Sequence, residues 1–178
     1  MALMQIRIYP DEALRRIAQP LDVVDDEVRR MLDDMAETMY ANEGIGLAAP
    51  QVGLSKRLVV LDVPGDKGGP GSGLLYLVNP EIVEREGTTV TTEGCLSFPG
   101  LEVDVKRSAR VRLAYLDQHG SSMVLDASGL LAVCIQHEVD HLDGVVFLDR
   151  LGPVSRRLAL RSFDKLRARA AADAGSAR

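Results

Sequence analysis

The spacing of apolar residues predicts helices toward both ends of the chain. Between residues 25 and 42, apolar side chains recur three or four positions apart, as on one buried helical face: Val28, Met31, Leu32, Met35 and Met39. Residues 128–142 show the same spacing in Leu131, Ile135, Val139 and Leu142. Similar but weaker patterns predict a short helix over 11–18 and a final helix over 154–172.

The middle of the chain has a different pattern, rich in β-forming residues. Six short runs are predicted as strands: 57–62, 74–83, 88–92, 101–105, 111–116 and 123–125. Strands that follow one another without helices between them favour antiparallel sheets. The predicted fold is therefore α+β, with antiparallel sheets packed around the helix at 128–142 and with helices at the N- and C-terminal ends. The Gly/Pro-rich segment 64–73 lacks the ending of a phosphate-binding loop and is interpreted as a flexible hairpin loop.

Length and charge narrow the class of protein. A chain of 178 residues suffices for one domain, so residues 1–178 are predicted to form a single domain, with a flexible tail from about 169 to 178. No apolar run reaches the ~20 residues of a membrane span, and the N-terminus lacks a secretory signal. We therefore expect a cytoplasmic protein without a membrane partner. The net charge of -5 argues against DNA binding.

The segment that indicates chemistry is His137-Glu138-Val139-Asp140-His141. Histidines four residues apart lie on the same face of a helix, one turn from each other, and can bind one divalent metal. Glu138 would then stand beside the water on that metal, where a carboxylate can act as general base. The alternative is a pair of surface histidines with a glutamate between them by chance.

A tetrahedral catalytic site needs a third protein ligand and one open position. No histidine or glutamate follows His141, so the ligand is expected upstream, and the two cysteines are the leading candidates. Cys134 lies on the same rigid helix, roughly 10 Å from His141 along its axis, and is interpreted as a small residue lining the site. Cys95 lies between predicted strands and can approach the metal from outside the helix.

Three separated segments resemble the motifs of the peptide deformylase family, the bacterial and organellar enzymes that remove the formyl group from the N-terminal formylmethionine of new proteins. Residues 44–51, Gly-Ile-Gly-Leu-Ala-Ala-Pro-Gln, resemble its Gly-x-Gly-x-Ala-Ala-x-Gln motif. Residues 93–97, Glu-Gly-Cys-Leu-Ser, resemble its cysteine motif, and residues 136–141 its helical metal motif. The similarity extends over roughly residues 5–165.

This resemblance implies a metal-dependent amide hydrolase that acts on nascent N-formylmethionyl polypeptides and releases formate. One divalent ion, Fe²⁺ in the cell with Zn²⁺, Ni²⁺ or Co²⁺ able to substitute, would be held by Cys95, His137 and His141. Water on the metal would attack the formyl carbon while Glu138 serves as general base and then as acid. The side-chain amide of Gln51 and the backbone N–H of Leu96 would stabilise the oxyanion.

The resemblance also implies a substrate-binding surface. Ile45 and Gly94 would hydrogen-bond the substrate backbone, and Gly46 would allow its close approach. The methionine side chain would be surrounded by Ile45, Thr91, Glu93, Leu130, Val133 and Cys134. A carboxylate is costly in such a pocket unless it is paired. We therefore predict an ion pair between Glu93 and Arg107, the position that supplies this partner in the family.

The C-terminal region differs in charge from the rest of the chain. Residues 153–178 carry seven basic and two acidic side chains, a net charge of +5, which leaves -10 on the remainder. The helix there has either an ordinary solvated face or, as the resemblance implies for bacterial members, a surface that contacts ribosomal RNA near the exit tunnel. His119, in a predicted turn, is interpreted as an ordinary surface residue.

Two rival functions are weighed against the deformylase interpretation. The first is a metallopeptidase that takes its third ligand from a downstream aspartate, one of Asp143, Asp149, Asp164 and Asp173. The second is a metal-binding or ribosome-associated module without enzymatic activity.

Overall fold

The computed structural model describes residues 3–65 and 70–176. Its three α-helices in this part of the chain are α1 (Asp26–Ala41), α2 (Gly129–Leu142) and α3 (Pro153–Ser176). Its strands are β1 (Gly46–Ala48), β2 (Leu58–Asp62), β3 (Leu74–Glu86), β4 (Thr89–Gly94), β5 (Glu102–Arg107), β6 (Arg110–Leu116) and β7 (Ser122–Ser128). All neighbouring strands pair antiparallel, in one sheet of order β1-β2-β3-β6-β7 and a second sheet of β4 and β5. The predicted α+β fold is confirmed.

The larger sheet is covered by a helix on each face. Successive residues of β2 point to opposite faces, and the sheet is buried on both, so its side chains divide between two cores. Val59 and Leu61 pack with α2 residues such as Ile135, whereas Leu58 and Val60 join the apolar face of α1. The side chain of Asp25 caps α1 by accepting a 2.9 Å hydrogen bond from the N–H of Val28.

A third core lies beneath the small sheet. Phe98, Phe147 and Phe163 are fully buried there, and they pack with residues of β5 and α3. The ring centroids of Phe98 and Phe147 lie 5.0 Å apart. This aromatic cluster joins β4–β5 to the segment that follows α2, so it brings both toward the same end of that helix.

The remaining elements depart from the predictions mainly at their ends. The helix predicted over 11–18 is a single 3-10 turn, Glu12–Arg15, and the three-residue strand β1 was not among the six predicted strands. The last helix continues through Ser176, so the backbone of residues 169–176, expected to be a flexible tail, is helical; residues 177–178 lie outside the described part. The loop at 64–73 joins the antiparallel strands β2 and β3, as expected, but its residues 66–69 also lie outside the described part.

No helix in the described ranges is long and apolar enough to cross a membrane. His119 is exposed in the turn between β6 and β7, where its N–H donates to the carboxylate of Asp117, as expected of an ordinary surface residue.

Candidate active site

Helix α2 is buried around its whole circumference, which the apolar stripe alone did not predict. Residues Ala132–Leu142 are all buried, including His137 and His141 at 7% and 1% exposure. The large sheet covers the apolar face, while the small sheet and the segment after α2 cover the polar face. The two histidines are therefore not a chance pair on the surface.

The structure brings three potential metal ligands together. The ring centroids of His137 and His141 lie 5.0 Å apart, one turn from each other on α2. Cys95, in the turn after β4, places its Sγ 3.4 Å from His141 Nε2. The ligand atoms of all three residues lie within 4.8 Å of one another, a separation that suits one ion of tetrahedral geometry. The donor set of one thiolate and two imidazoles fits a divalent transition metal.

Glu93 determines which nitrogen of His137 faces the other ligands. His137 Nδ1 lies 2.8 Å from Glu93 Oε2. Burial alone would raise the pKa of Glu93, but hydrogen bonds from Arg107 and His137 lower this pKa to about 2. An ionised carboxylate can only accept, so Nδ1 donates to Glu93 and Nε2 is the nitrogen left for a metal.

The predicted ion pair of Glu93 with Arg107 is confirmed. Arg107 Nε and Nη2 donate to the two oxygens of Glu93 at 2.7 and 2.9 Å, and both side chains are almost completely buried. Arg107 Nη1 donates in addition to Asp140 Oδ2 at 2.5 Å. This fork-shaped contact orients the carboxylate that holds His137.

The surroundings shift the pKa values of the two histidines in opposite directions. Burial alone would lower the pKa of His137, but Cys95 and Glu93 raise it well above its ordinary value. Burial and the nearby His137 lower the pKa of His141 well below its ordinary value. A histidine must give up a proton to bind a metal, so the raised pKa of His137 makes metal binding depend on pH.

Glu138 is the buried charge that the surroundings do not pair. Its side chain is 4% exposed, and its Oε2 has no hydrogen-bond partner in the described part of the chain. Burial raises the pKa of Glu138 to about 7. A carboxylate that exchanges its proton near neutral pH is suited to general acid–base catalysis.

Gly46 lets β1 pass directly over this carboxylate. A Cβ at position 46 would lie 2.5 Å from Glu138 Oε1 and 2.9 Å from Cys134 Sγ. Gly44 is equally restricted, because its Cβ would lie 2.8 Å from the side chain of Leu96. Gly46 therefore permits the close packing of β1 on α2, whereas Gly44 permits the close approach of the preceding turn to Leu96 and to Met39 of α1.

Gln51 directs its amide toward the cysteine. It lies in the 3-10 turn Ala49–Val52, and its Oε1 accepts a 2.8 Å hydrogen bond from the N–H of Ala48. That contact orients Nε2, which lies 3.6 Å from Cys95 Sγ and 3.3 Å from Ser97 Oγ. The donor expected at the oxyanion therefore points to the ligand cluster.

A cleft of about 570 Å³ opens onto Glu138 and two of the potential ligands, Cys95 and His137. Its walls include every residue expected to bind substrate, namely Ile45, Gly46, Thr91, Glu93, Gly94, Leu130, Val133 and Cys134, together with Gln51 and Leu96. The cleft lies between β1 and β4. In the described residues, β1 pairs only with β2 and β4 only with β5, so each strand has a free edge.

Cys134 lies in the wall of the cleft, outside the group of possible ligands. Its Sγ is 3.8 Å from the carbonyl oxygen of Ile45, and burial raises the pKa of the thiol well above its ordinary value. A thiol that resists ionisation is a poor metal ligand. This placement agrees with the interpretation of Cys134 as a lining residue.

The downstream aspartates lie elsewhere. Asp143 accepts a 2.8 Å bond from Arg57, and Asp149 pairs with Arg15 and Arg156, while Asp164 and Asp173 are exposed on α3. None of them belongs to the group of described residues that could hold a metal. The geometry therefore disfavours a metallopeptidase with an aspartate as third ligand.

Sequence reasoning missed two residues near the site, Asp140 and Arg150. Asp140 lies inside the histidine motif and is 6% exposed, and it accepts hydrogen bonds from both Arg107 and Arg150. Its place between the histidines was a signal that could have been used. Nothing in the sequence pattern marks Arg150.

Comparison with known proteins identifies the family. The profile of the family described as Polypeptide deformylase matches residues 3–157. The chain belongs to the polypeptide deformylase family. The peptide deformylase of Alkalilimnicola ehrlichii is 49% identical over 166 residues, which are 93% of this chain and 92% of that protein.

Solved structures of deformylases have the same fold as this chain. A crystal structure of a peptide deformylase from Legionella pneumophila matches with a TM-score of 0.87 and 43% identity, covering 96% of this chain and 98% of that one. A Met-Ala-Ser-bound crystal structure of a class I type b peptide deformylase from Acinetobacter baumannii matches with a TM-score of 0.78 and 31% identity, covering 84% and 99%. The chain is therefore an enzyme, a hydrolase of a family that removes N-terminal formyl groups and uses a divalent metal.

Proposed function

We propose that this deformylase-family chain hydrolyses the formyl amide of N-terminal formylmethionine on nascent polypeptides and releases formate. The observation that carries the proposal is the convergence of Cys95, His137 and His141 within 4.8 Å, beside the buried and unpaired carboxylate of Glu138. Family membership supplies the substrate class, and the site supplies the chemistry that such a substrate needs.

Cys95, His137 and His141 are the residues that would hold the metal. A divalent ion bound there supplies Lewis-acid chemistry, which activates water at neutral pH and polarises the formyl oxygen. Glu138 accepts the proton of the attacking water and delivers it to the departing amine. Its raised pKa, about 7, suits both halves of this transfer.

Gln51 and Leu96 stabilise the negative charge that develops on the formyl oxygen. The Nε2 of Gln51 already points at the ligand cluster and is oriented by Ala48 through Oε1. Leu96 follows Cys95 directly and lines the cleft, so its backbone N–H is the second donor. Preorganised donors of this kind act where charge appears in the transition state.

The peptide binds as an added strand between β1 and β4. Ile45, which directly precedes β1, and Gly94, the last residue of β4, lie at the free edges and line the cleft, so their backbone groups are the proposed partners of an extended chain. Leu130, Val133 and Cys134 form an apolar wall for the methionine side chain. The Met-Ala-Ser complex of the Acinetobacter baumannii relative supports a peptide with N-terminal methionine as the ligand.

The physiological ion is proposed to be Fe²⁺. One thiolate and two imidazoles also accept Zn²⁺, Ni²⁺ or Co²⁺, so the ligand set does not select among them by itself. Metal analysis of protein purified without oxygen tests the proposal, with iron expected in near-stoichiometric amount. Zinc alone in such a preparation would contradict it.

We propose that the enzyme works in the cytoplasm and contacts the ribosome through α3. Five basic residues are exposed on this helix: Arg157, Arg161, Lys165, Arg167 and Arg169. Reversal of three of them to glutamate leaves the buried Ala159 and Phe163 in place. We expect this variant to lose ribosome co-sedimentation at low salt while it keeps hydrolysis of short peptides, because phosphate contacts weaken steeply with salt and charge.

The central experiment measures formate release from formyl-Met-Ala peptides. Wild type is expected to be active, Glu138→Ala to be nearly inactive, and a chelator to abolish wild-type activity until metal is returned. The Cys95→Ser variant distinguishes the deformylase from the rival metallopeptidase. The metallopeptidase hypothesis predicts that this variant keeps its full metal content and cleaves internal peptide bonds. Full wild-type activity after complete metal removal would refute the mechanism.

A further inference from the structure

A line of ion pairs runs from the surface to the metal-binding histidine. Arg150, at the end of the 3-10 turn Phe147–Arg150, places Nη2 2.5 Å from Asp140 Oδ1 and Nε 3.0 Å from Asp140 Oδ2. Arg107 joins Asp140 to Glu93, and Glu93 holds His137 Nδ1. Only the first member is open to solvent: the Arg150 side chain is 44% exposed, against 8% for Asp140 and 3% for Arg107.

Arg150 gives Asp140 a guanidinium partner of its own. Two carboxylates, Glu93 and Asp140, face two guanidinium groups, Arg107 and Arg150. Without Arg150, Asp140 would have only Arg107, whose Nε and Nη2 already donate to Glu93. Buried charges without a partner are costly, so Asp140 would draw Arg107 toward itself or admit water, and either change loosens the contact with Glu93.

The line also connects separate elements. Asp140 and His137 lie on α2, Glu93 on β4, Arg107 on β5, and Arg150 in the segment after α2. Arg150 is thus the only contributor from outside the helix and the small sheet, and it holds both oxygens of Asp140 from the far side. That two-point contact fixes the carboxylate against rotation.

We propose that Arg150 is a positioning residue for the metal site: it holds Asp140 so that Arg107 keeps Glu93 oriented on His137. The proposal rests on the proposed function only in taking His137 as a metal ligand. Loss of a group that orients a ligand typically weakens metal affinity about 10- to 100-fold. Arg150 acts through three intervening residues, so we expect an effect near the lower limit.

The test measures Zn²⁺ affinity of the metal-free protein by competition with a chromophoric chelator. Arg150→Gln is expected to bind Zn²⁺ about tenfold more weakly than wild type. Arg156→Gln is the matched control, because Arg156 is 43% exposed and pairs with Asp149 outside the line. Its affinity is expected to stay within about twofold of wild type, as for a surface ion pair of little energetic weight.

A double-mutant cycle tests the route. If Arg150 acts through Asp140, its replacement should change Zn²⁺ affinity less than about twofold in an Asp140→Asn background. The chain has three histidines, so ¹⁵N-histidine spectra can resolve the Nδ1–H of His137. We expect this signal to shift or broaden in Arg150→Gln and to stay unchanged in Arg156→Gln.

Unchanged affinity, a higher affinity, or an equal loss in Arg156→Gln would each overturn the proposal. A higher affinity would mean that removing a positive charge matters more than orientation. If Arg150→Gln does not fold, Arg150→Lys keeps the charge, loses the two-point contact and carries the same comparison. Formate release by wild type is measured separately, so failure of the proposed function is distinguishable from failure of this inference.

Discussion

His137 and Glu138 are neighbours on α2, yet His137 has a charged hydrogen-bond partner and Glu138 has none among the described residues. His137 donates to Glu93, which Arg107 holds at both oxygens, and the pKa of Glu93 falls to about 2. Glu138 is equally buried, but its Oε2 has no partner among the described residues, and the pKa of Glu138 rises to about 7. One side of the helix pairs its charges, and the other leaves one unpaired.

This difference separates two tasks. Paired charges hold a side chain in one place and one protonation state, which suits a residue that must bind a metal. A buried carboxylate without a partner destabilises the fold, but its proton remains exchangeable near neutral pH, which suits a residue that must move a proton. Substitutions on each side should therefore have different consequences.

The largest effect is expected on the unpaired side. Glu138→Gln removes the proton acceptor and leaves the shape, so kcat/KM for formyl-Met-Ala peptides should fall by about 100- to 10,000-fold. Metal content should remain at the wild-type level, because Glu138 is not among the proposed ligands. The exposed Glu37 provides a control, since Glu37→Gln should leave both quantities unchanged. Activity within tenfold of wild type would contradict the assigned role.

The second prediction concerns Gln51, the proposed side-chain donor to the oxyanion. Gln51→Ala removes the proposed oxyanion donor, and kcat/KM should fall by about 100- to 1000-fold. Ser97→Ala removes the hydroxyl that accepts from Gln51 Nε2 but keeps the proposed donor, so kcat/KM should fall far less. Equal losses in the two variants would assign Gln51 to packing of this turn.

The paired side is broken most directly by Arg107→Ala. Two buried carboxylates lose their shared partner, so the free energy of unfolding should fall by about 3 to 5 kcal/mol, and metal affinity should fall with it. Urea unfolding with Arg112→Ala as control measures the difference. Arg112 also contacts two acids, but its side chain is 42% exposed, so its loss should reduce stability far less than the loss of Arg107. A loss in Arg107→Ala no larger than in Arg112→Ala would contradict the prediction.

The smallest expected effect is on the free energy of unfolding. It should have opposite signs for Glu138→Gln, on the unpaired side of α2, and Glu93→Gln, on the paired side. The pKa of Glu138 is raised in the folded state from its ordinary 4.5 to about 7, so the folded protein binds its proton more tightly than the unfolded chain. Stability from this group is therefore present at low pH and lost as the pH rises through about 7. In metal-free protein at pH 8, Glu138→Gln should gain roughly 2 kcal/mol, with little gain at pH 5.

Glu93→Gln provides the opposite case. The pKa of Glu93 is lowered, so its stabilising contribution is present above its ordinary pKa and lost as the pH falls toward about 2. At pH 8 this variant should be less stable than wild type in the same urea experiment. Two glutamate-to-glutamine changes with the same sign would remove the distinction between the two sides.

Sequence patterns were most reliable where a local rule applies. The period of α1, the β-rich runs and the spacing of His137 and His141 depend on residues close together in the chain, and the structure has the corresponding elements. The ends of β3 and β5 were predicted too short, because hydrogen bonds to neighbouring strands extend them. Helix α3 also runs past its predicted end at residue 172 to Ser176, although residues 167–173 are exposed. The short turn at Glu12–Arg15 was predicted too long, since propensity alone does not show where packing stops a helix.

Local pattern by itself determined the helix of the metal motif, the need for a ligand from elsewhere, and, through three separated motifs, the family. Tertiary structure alone decided that both faces of α2 are buried, that Glu93 bonds His137 while Glu138 stays unpaired, and that Arg150 reaches Asp140. The physical reason is that burial and charge pairing depend on segments far apart in the chain. Neighbouring residues 137 and 138 acquire their different properties only when two sheets close around one helix.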